Sequence, residues 1–202
     1  MHQITSLEQL DALYGKPMEA AIAKEIDYIS KHYKAFIDKA PFVVLATVGP
    51  EGLDCSPRGD PAGFVQVVDK HTLLIPDRRG NNRVDCLRNL VRDPRIALLF
   101  MIPGIGNTLR INGRATISTA PDLLAGFAMH GKLPKCVLEV KAERVYFQCP
   151  KALVRSRLWS ADAQIDRAEV PSAGEILQEI SAGFDGKAYD AAYPQRLKDT
   201  MY

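Results

Sequence analysis

Long apolar runs are missing from this sequence. No stretch of about 18 consecutive apolar residues occurs in its 202, so no membrane-spanning helix is expected. Cysteine is scarce. Cys55, Cys86, Cys136 and Cys149 lie far apart with no CxxC spacing, and they read as reduced thiols of a cytoplasmic protein, not as a disulfide framework or a zinc site. An excess of one charge is missing too. The 26 basic and 24 acidic residues leave +2, which supplies no bulk field for nonspecific nucleic-acid binding. Met1-His2-Gln3-Ile4-Thr5-Ser6 has no basic patch leading into an apolar run, so no secretory signal is expected there. The histidines (His2, His32, His71, His130) show no metal-ligand spacing, and no metal is expected. No GxxxxGK or GxSxG occurs, and Gly104-Ile105-Gly106 lacks the third glycine and following helix of a dinucleotide fingerprint. What is present, 47% hydrophobic and 25% charged residues, is ordinary globular composition.

The first 40 residues read as helix. Ser6-Leu7-Glu8-Gln9 has the form of a capping box. A break near Gly15-Lys16-Pro17 precedes a longer helix with Ile22, Ile26, Ile29, Tyr33, Phe36 and Ile37 at helical spacing, closed by Pro41. From Phe42 the period changes. Short strands are expected at 42–47, 53–56, 64–68, 72–75, 96–101, 108–117, 137–141 and 144–148, with helices at 84–91 and 121–129. Most joins are turns, such as Asp69-Lys70-His71, and the strand–helix rhythm of a parallel sheet is absent. The expected architecture is therefore an antiparallel barrel with helical additions. It divides into a helical arm over 1–40 packed on the barrel, a barrel domain over 41–160 and a helical tail over 161–202, with a helix at Glu175 to Ile180. His130-Gly131 looks like a helix C-terminus.

Arginine is unevenly placed. Arg78, Arg79, Arg83, Arg88, Arg92, Arg95, Arg110 and Arg114 fall within 37 residues that contain no lysine or glutamate. A guanidinium offers a planar fork suited to phosphate. Ile75-Pro76-Asp77-Arg78-Arg79-Gly80-Asn81-Asn82-Arg83 also runs from a strand into a helix start, where free N–H groups favour an anion. The same segment reads equally as a solvated loop that caps the helix. Arg58 in Ser56-Pro57-Arg58-Gly59-Asp60-Pro61 either reaches a phosphate from the adjoining strand or pairs with Asp60 in a surface turn. Thr108 and Arg110 share the polar face of an alternating strand, facing either solvent or a ligand groove. Trp159, beside Lys151, Arg155 and Arg157, is either a core anchor or an aromatic ligand wall.

Four segments carry a resemblance. In order they are Asp54-Cys55-Ser56-Pro57-Arg58-Gly59-Asp60-Pro61-Ala62-Gly63-Phe64, then Ile75 to Arg83, then Asn107-Thr108-Leu109-Arg110-Ile111-Asn112-Gly113-Arg114-Ala115, then Cys149-Pro150-Lys151-Ala152 through Arg155-Ser156-Arg157-Leu158-Trp159. Together they resemble a bacterial branch of the pyridoxamine 5′-phosphate oxidase-like, FMN-binding split-barrel family, from about Pro41 to Trp159. The resemblance implies a six-stranded antiparallel split β-barrel of the α+β class. It also implies a homodimer with FMN in each of two interface grooves, working as an oxidoreductase on a small molecule by hydride transfer through flavin N5.

By the same resemblance, Arg58 and Arg83 hold the flavin phosphate and Asn82 donates nearby. Ile75, Pro76 and Asp77 run along the ring and ribityl chain, Thr108 and Arg110 face its pyrimidine side, and Lys151, Ser156 and Trp159 close the site from the partner subunit. A flavin carrier or sensor without turnover, or a deazaflavin-dependent reductase, would share these features. The loop Arg-Arg-Gly-Asn-Asn-Arg and the C-terminal Gln195-Arg196-Leu197-Lys198-Asp199-Thr200-Met201-Tyr202 both depart from a true pyridoxamine-phosphate oxidase, so the resemblance does not specify a vitamin B6 substrate.

Overall fold

The computed structural model describes residues 3–202; His2 and the first two residues of the segment read for a secretory signal lie outside it. Seven strands alternate inward and outward side chains: β1 Phe42–Gly49, β2 Gly52–Gly59, β3 Gln66–Val67, β4 Thr72–Asp77, β5 Arg95–Met101, β6 Thr108–Ser118 and β7 Cys136–Gln148. They form one antiparallel sheet in the order β2-β1-β5-β6-β7-β4-β3. The inward faces supply the core: Val43 and Leu45, Leu73 and Ile75, Leu98 and Phe100, Leu109 and Ile111, Leu138 and Val140. Sheet curvature brings the ends of β2 and β4 together although they share no ladder, and Arg58 Nη2 lies 3.3 Å from Asp77 Oδ1. That seam is the split of the barrel. The strand count is seven, one more than the six expected, and the extra strand is the two-residue β3 at the sheet edge.

The helices are α1 Leu7–Tyr14, α2 Glu19–Ala23, α3 Lys31–Lys39, α4 Asp85–Arg92, α5 Pro121–Gly126, α6 Lys151–Ser156, α7 Ala173–Ile180 and α8 Gly186–Thr200. None is long and apolar enough to cross a membrane. α3 buries Ile37 in the core and α4 buries Cys86 and Leu90 there. Asn89 of α4 donates to Thr47 of β1 at 3.2 Å, which satisfies a buried polar pair. α5 covers the outer face of β4 and β7, where Leu74, Phe127 and Val137 pack together with Leu123 and Leu124.

Four local expectations are corrected. The helix read through Ile22–Ile37 is interrupted, because Ile26 bridges Val145 with two backbone hydrogen bonds and Ser30 accepts from Tyr33 N to start α3 anew. The two strands read at 137–141 and 144–148 are one strand, β7, which absorbs the irregularity as a bulge at Glu143, left without a ladder partner where Arg144 pairs with Asn112 and Ala142 with Gly113. Phe64 and Val65 enter the core from a turn closed by Phe64 N on Pro61 O, outside the sheet. His130 and Gly131, both at positive φ (49° and 74°), form a two-residue turn between Met129 and Lys132 and not a helix end.

Gly113 is required by close approach: a Cβ built there would lie 2.0 Å from the Lys141 carbonyl oxygen of the paired strand. Gly113→Ala is expected to destabilise the fold by about 1–3 kcal/mol, read as a lower urea midpoint. Gly126→Ala, which meets nothing within 4 Å in α5, is expected to leave that midpoint unchanged or slightly raised.

Candidate functional site

At the seam, five pieces of chain converge on one recess of about 250 Å³. They are the end of β2, Phe64 in the turn after it, the end of β4 with the loop 78–83, the start of α4, and Lys135 just before β7. Five cations line it, Arg58, Arg78, Arg79, Arg83 and Lys135, against a single carboxylate, Asp77. Arg58 is held in place: Nη1 donates to Ser56 Oγ at 3.0 Å and to the Pro57 carbonyl at 2.9 Å, and Nη2 points to Cys86 Sγ at 3.0 Å. Arg78 donates from Nε to Asp60 Oδ2 at 2.7 Å and from Nη1 to the Phe127 carbonyl at 2.5 Å. The pairing across the turn is therefore crossed: Arg58 takes Asp77, and Asp60 takes Arg78. This replaces the Arg58–Asp60 surface pair that the sequence also allowed.

The loop fixes itself. Asn81 Oδ1 accepts from Arg83 N at 2.9 Å, and Asn82 adopts a left-handed φ of 63°, a conformation Asn tolerates better than most residues. Arg83 extends into solvent and, among the described residues, its side chain pairs with Asp85 alone. The side chains of Arg79 and Lys135 make no hydrogen bond or ion pair among the described residues. α4 begins without a side-chain cap, so its first N–H groups add positive potential to the recess.

The recess also perturbs its own titrating groups. Burial pushes the Asp77 carboxyl above the ordinary range, against the pull of Arg58. Burial, reinforced by Asp77 and Cys86, pushes the Cys136 thiol up to about 11.

Arg58, Pro76, Asp77, Asn82 and Arg83 are thus brought together. Ile75, one residue earlier on β4, points into the core and is fully buried. Thr108, Arg110, Lys151, Ser156 and Trp159 lie elsewhere. The recess sits beside the Asp77↔Cys136 rung, next to Ser118↔Val137, whereas Thr108 pairs with Gln148 at the far end of the same ladder. Across the sheet, the rungs Arg110↔Leu99, Leu99↔Val44 and Val44↔Pro57 put Arg110 three strand spacings, about 14 Å, from the recess lining.

At that far end, Arg110 Nη1 donates to the Tyr146 hydroxyl at 2.9 Å and the guanidinium lies 5.6 Å from the Tyr146 ring. Asn107 ties to the Gln148 carbonyl at 3.0 Å. The Trp159 indole N–H donates to the Ile105 carbonyl at 3.0 Å, anchoring the segment after α6 on the β5–β6 hairpin. Ser156 Oγ donates to the Leu153 carbonyl, and Lys151 is exposed at the start of α6. The named residues therefore fall in two groups, one lining the recess and one outside its lining on β6, α6 and the segment after α6.

Arg78, Arg79 and Lys135 complete the recess and were not among the named site residues. The arginine run signalled the first two. Lys135 carried no signal, because its place depends on β4 pairing with β7 across nearly sixty residues of sequence.

The shifted thiol gives a direct check. At pH 8 a group titrating near 11 is about one part in a thousand thiolate. Iodoacetamide is therefore expected to label the exposed Cys55 and Cys149 first and to leave Cys136 unmodified, with Cys136 labelling rising only as the pH approaches 11, read by peptide mass spectrometry.

Residues 29–149, more than half of the chain, match the family model for pyridoxamine 5′-phosphate oxidase. Among solved structures, HupZ of Group A Streptococcus is 19% identical over 58% of this chain and 91% of its own, with a TM-score of 0.47. General Stress Protein 26 of Bacillus anthracis is 14% identical over 56% and 88%, with a TM-score of 0.42. An F420 reductase is 17% identical over 59% and 98%, with a TM-score of 0.44. No curated protein matches the chain. The chain belongs to the pyridoxamine 5′-phosphate oxidase family.

Proposed function

We propose that this protein is a cytoplasmic, homodimeric, FMN-dependent oxidoreductase acting on a small molecule. The observation that carries this reading is the recess at the seam, in which five cations face one carboxylate beside an uncapped helix start. Such a donor set fits a phosphate monoester and needs no metal. Arg58, already oriented by Ser56 and the Pro57 carbonyl, and Arg83, free to swing in from solvent, hold the phosphate, with Asn82 beside them. Pro76 and Asp77 form the wall along which the rest of the cofactor extends, and Ile75 backs that wall from the core. Bound FMN supplies hydride transfer through its N5.

The second group, Thr108, Arg110, Lys151, Ser156 and Trp159, lines no part of the recess of its own chain. A second copy related by a twofold axis sets this group of one barrel against the seam of the other. Arg110, its guanidinium fixed by the Tyr146 hydroxyl, then brings a cation to the pyrimidine side of the ring. Two equivalent composite sites follow from the twofold relation.

Three measurements test this. The purified protein is expected to carry or take up FMN, read by its absorption spectrum and by mass identification of the released ligand; a colourless chain that also refuses added FMN would end the reading. Arg58→Ala and Arg83→Ala are each expected to lower FMN affinity by about 1.5–3 kcal/mol, roughly 10- to 150-fold. Arg58→Ala and Arg110→Ala bear on the composite site. Each is expected to bind poorly alone, and dissociation and reassembly of a mixture is expected to restore strong sites, because a mixed dimer has one site with neither change. No recovery on mixing would place both residues in one site within a single chain and overturn the composite site.

A further inference from the structure

We infer that Tyr202 is a positioning residue for the recess, latching the C-terminal helices onto the Asp60–Arg78 pair so that the Arg78 guanidinium is held in place for a phosphate. This inference rests on the phosphate-binding reading above and extends it to a part of the chain remote in sequence.

The Asp60 side chain is only 1% exposed, so both carboxylate oxygens must find partners inside the protein. One accepts from Arg78 Nε at 2.7 Å, and the other accepts from the Tyr202 hydroxyl at 2.8 Å, 142 residues away. The Tyr202 ring lies 5.9 Å from the Arg78 guanidinium and 5.2 Å from the His130 ring, and Lys132 Nζ donates to the Tyr202 carbonyl at 2.7 Å. Arg78 lines the recess on one side. On the other it lines an adjoining cavity of about 190 Å³, walled by Arg79, Lys132, Leu133, Lys135 and Tyr202. Tyr202 therefore closes one end of a continuous basic trough, and Arg78 is the residue common to the trough, the buried carboxylate and the latch.

The rest of the C-terminal segment has little else to hold it there. α7 and α8 pack on each other, with Gly174 against Gly186 and Asp190 accepting from Ser172 Oγ and Gly174 N. Among the described residues, the side-chain hydrogen bonds of residues 165–201 run only to one another. Docking of the tail is therefore coupled to the state of Arg78. With the hydroxyl gone, one Asp60 oxygen loses its partner, the carboxylate turns further onto Arg78, and the guanidinium is drawn away from the ligand. By linkage, an anion that engages Arg78 strengthens the latch as much as the latch strengthens the anion.

Tyr202→Phe keeps the ring and removes only the hydroxyl. It is expected to weaken FMN binding about 5-fold while leaving riboflavin, which lacks the phosphate, unchanged, both read by flavin fluorescence titration of the full chain. It is also expected to speed trypsin cleavage after Arg196 and Lys198, and FMN is expected to slow that cleavage in the wild type but not in the variant. Asp60→Asn is expected to act in the same direction, and the double variant to lose no more than the larger single loss. An equal loss for FMN and riboflavin, or cleavage as slow in Tyr202→Phe as in the wild type, overturns the latch. A wild-type chain that binds neither flavin overturns the FMN reading instead. Cleavage rates with inorganic phosphate as the anion then decide the latch separately: protection in the wild type alone supports it, and no difference between the two chains overturns it.

Discussion

Everything at the seam depends on two strand ends that meet without pairing. β2 and β4 stand first and sixth in the sheet order, and each carries a proline near its end, Pro57 and Pro76. Pro57 lies on an edge strand whose only partner is β1, and Pro76 lies beyond the point where β3 stops pairing with β4. Proline has no N–H to give a ladder, so it is found at such edges, and here neither strand end can extend a regular ladder across the gap. Side chains join the two ends instead. The crossed pairs Arg58–Asp77 and Asp60–Arg78 close the barrel, and because they are ionic they leave a polar opening where a sheet would have left none. The opening is strongly basic because more cations converge there than the carboxylates of the crossed pairs offset.

The same arrangement explains the unequal burial of the ionisable groups. Asp60 is enclosed and fully paired, whereas Asp77 is partly desolvated and faces a guanidinium already shared with a serine, a carbonyl and a thiol. Its carboxyl is accordingly pushed toward protonation, and a rise in pH through the ordinary carboxylate range ionises it only belatedly. The folded state holds the extra proton in that window. This one group therefore contributes stability at the acid end and loses it as the pH rises through its elevated pKa.

Much of this was legible in the sequence, and what was not had definite causes. Alternation announced β1, β5 and β6, because one buried face leaves a period of two. The strand-to-helix loop announced itself through its arginines and asparagines. Ile26 has the right spacing for a helix, yet two backbone hydrogen bonds to Val145 outweigh a weak local preference. β7 looked like two strands because polar residues interrupt its apolar pattern around its own bulge at Glu143. Asp60, Lys135 and Tyr202 gave no local sign of their roles, since each acts through a partner distant in sequence. Membership of the family fixes the barrel, and the chain's own pairings decide how its seam is furnished.

The division between β4 and the loop after it reaches beyond binding. β4 is buried on both faces, by the barrel interior and by α5, so nearly every change in it disturbs packing. The stretch 78–83 makes no ladder hydrogen bond, and much of it is exposed at the rim. A lineage can therefore lengthen or rewrite positions 79–83 with little effect on the fold, while Arg78 is kept by the buried Asp60. The floor of the recess stays constant while its charged fringe is free to be retuned to a different ligand.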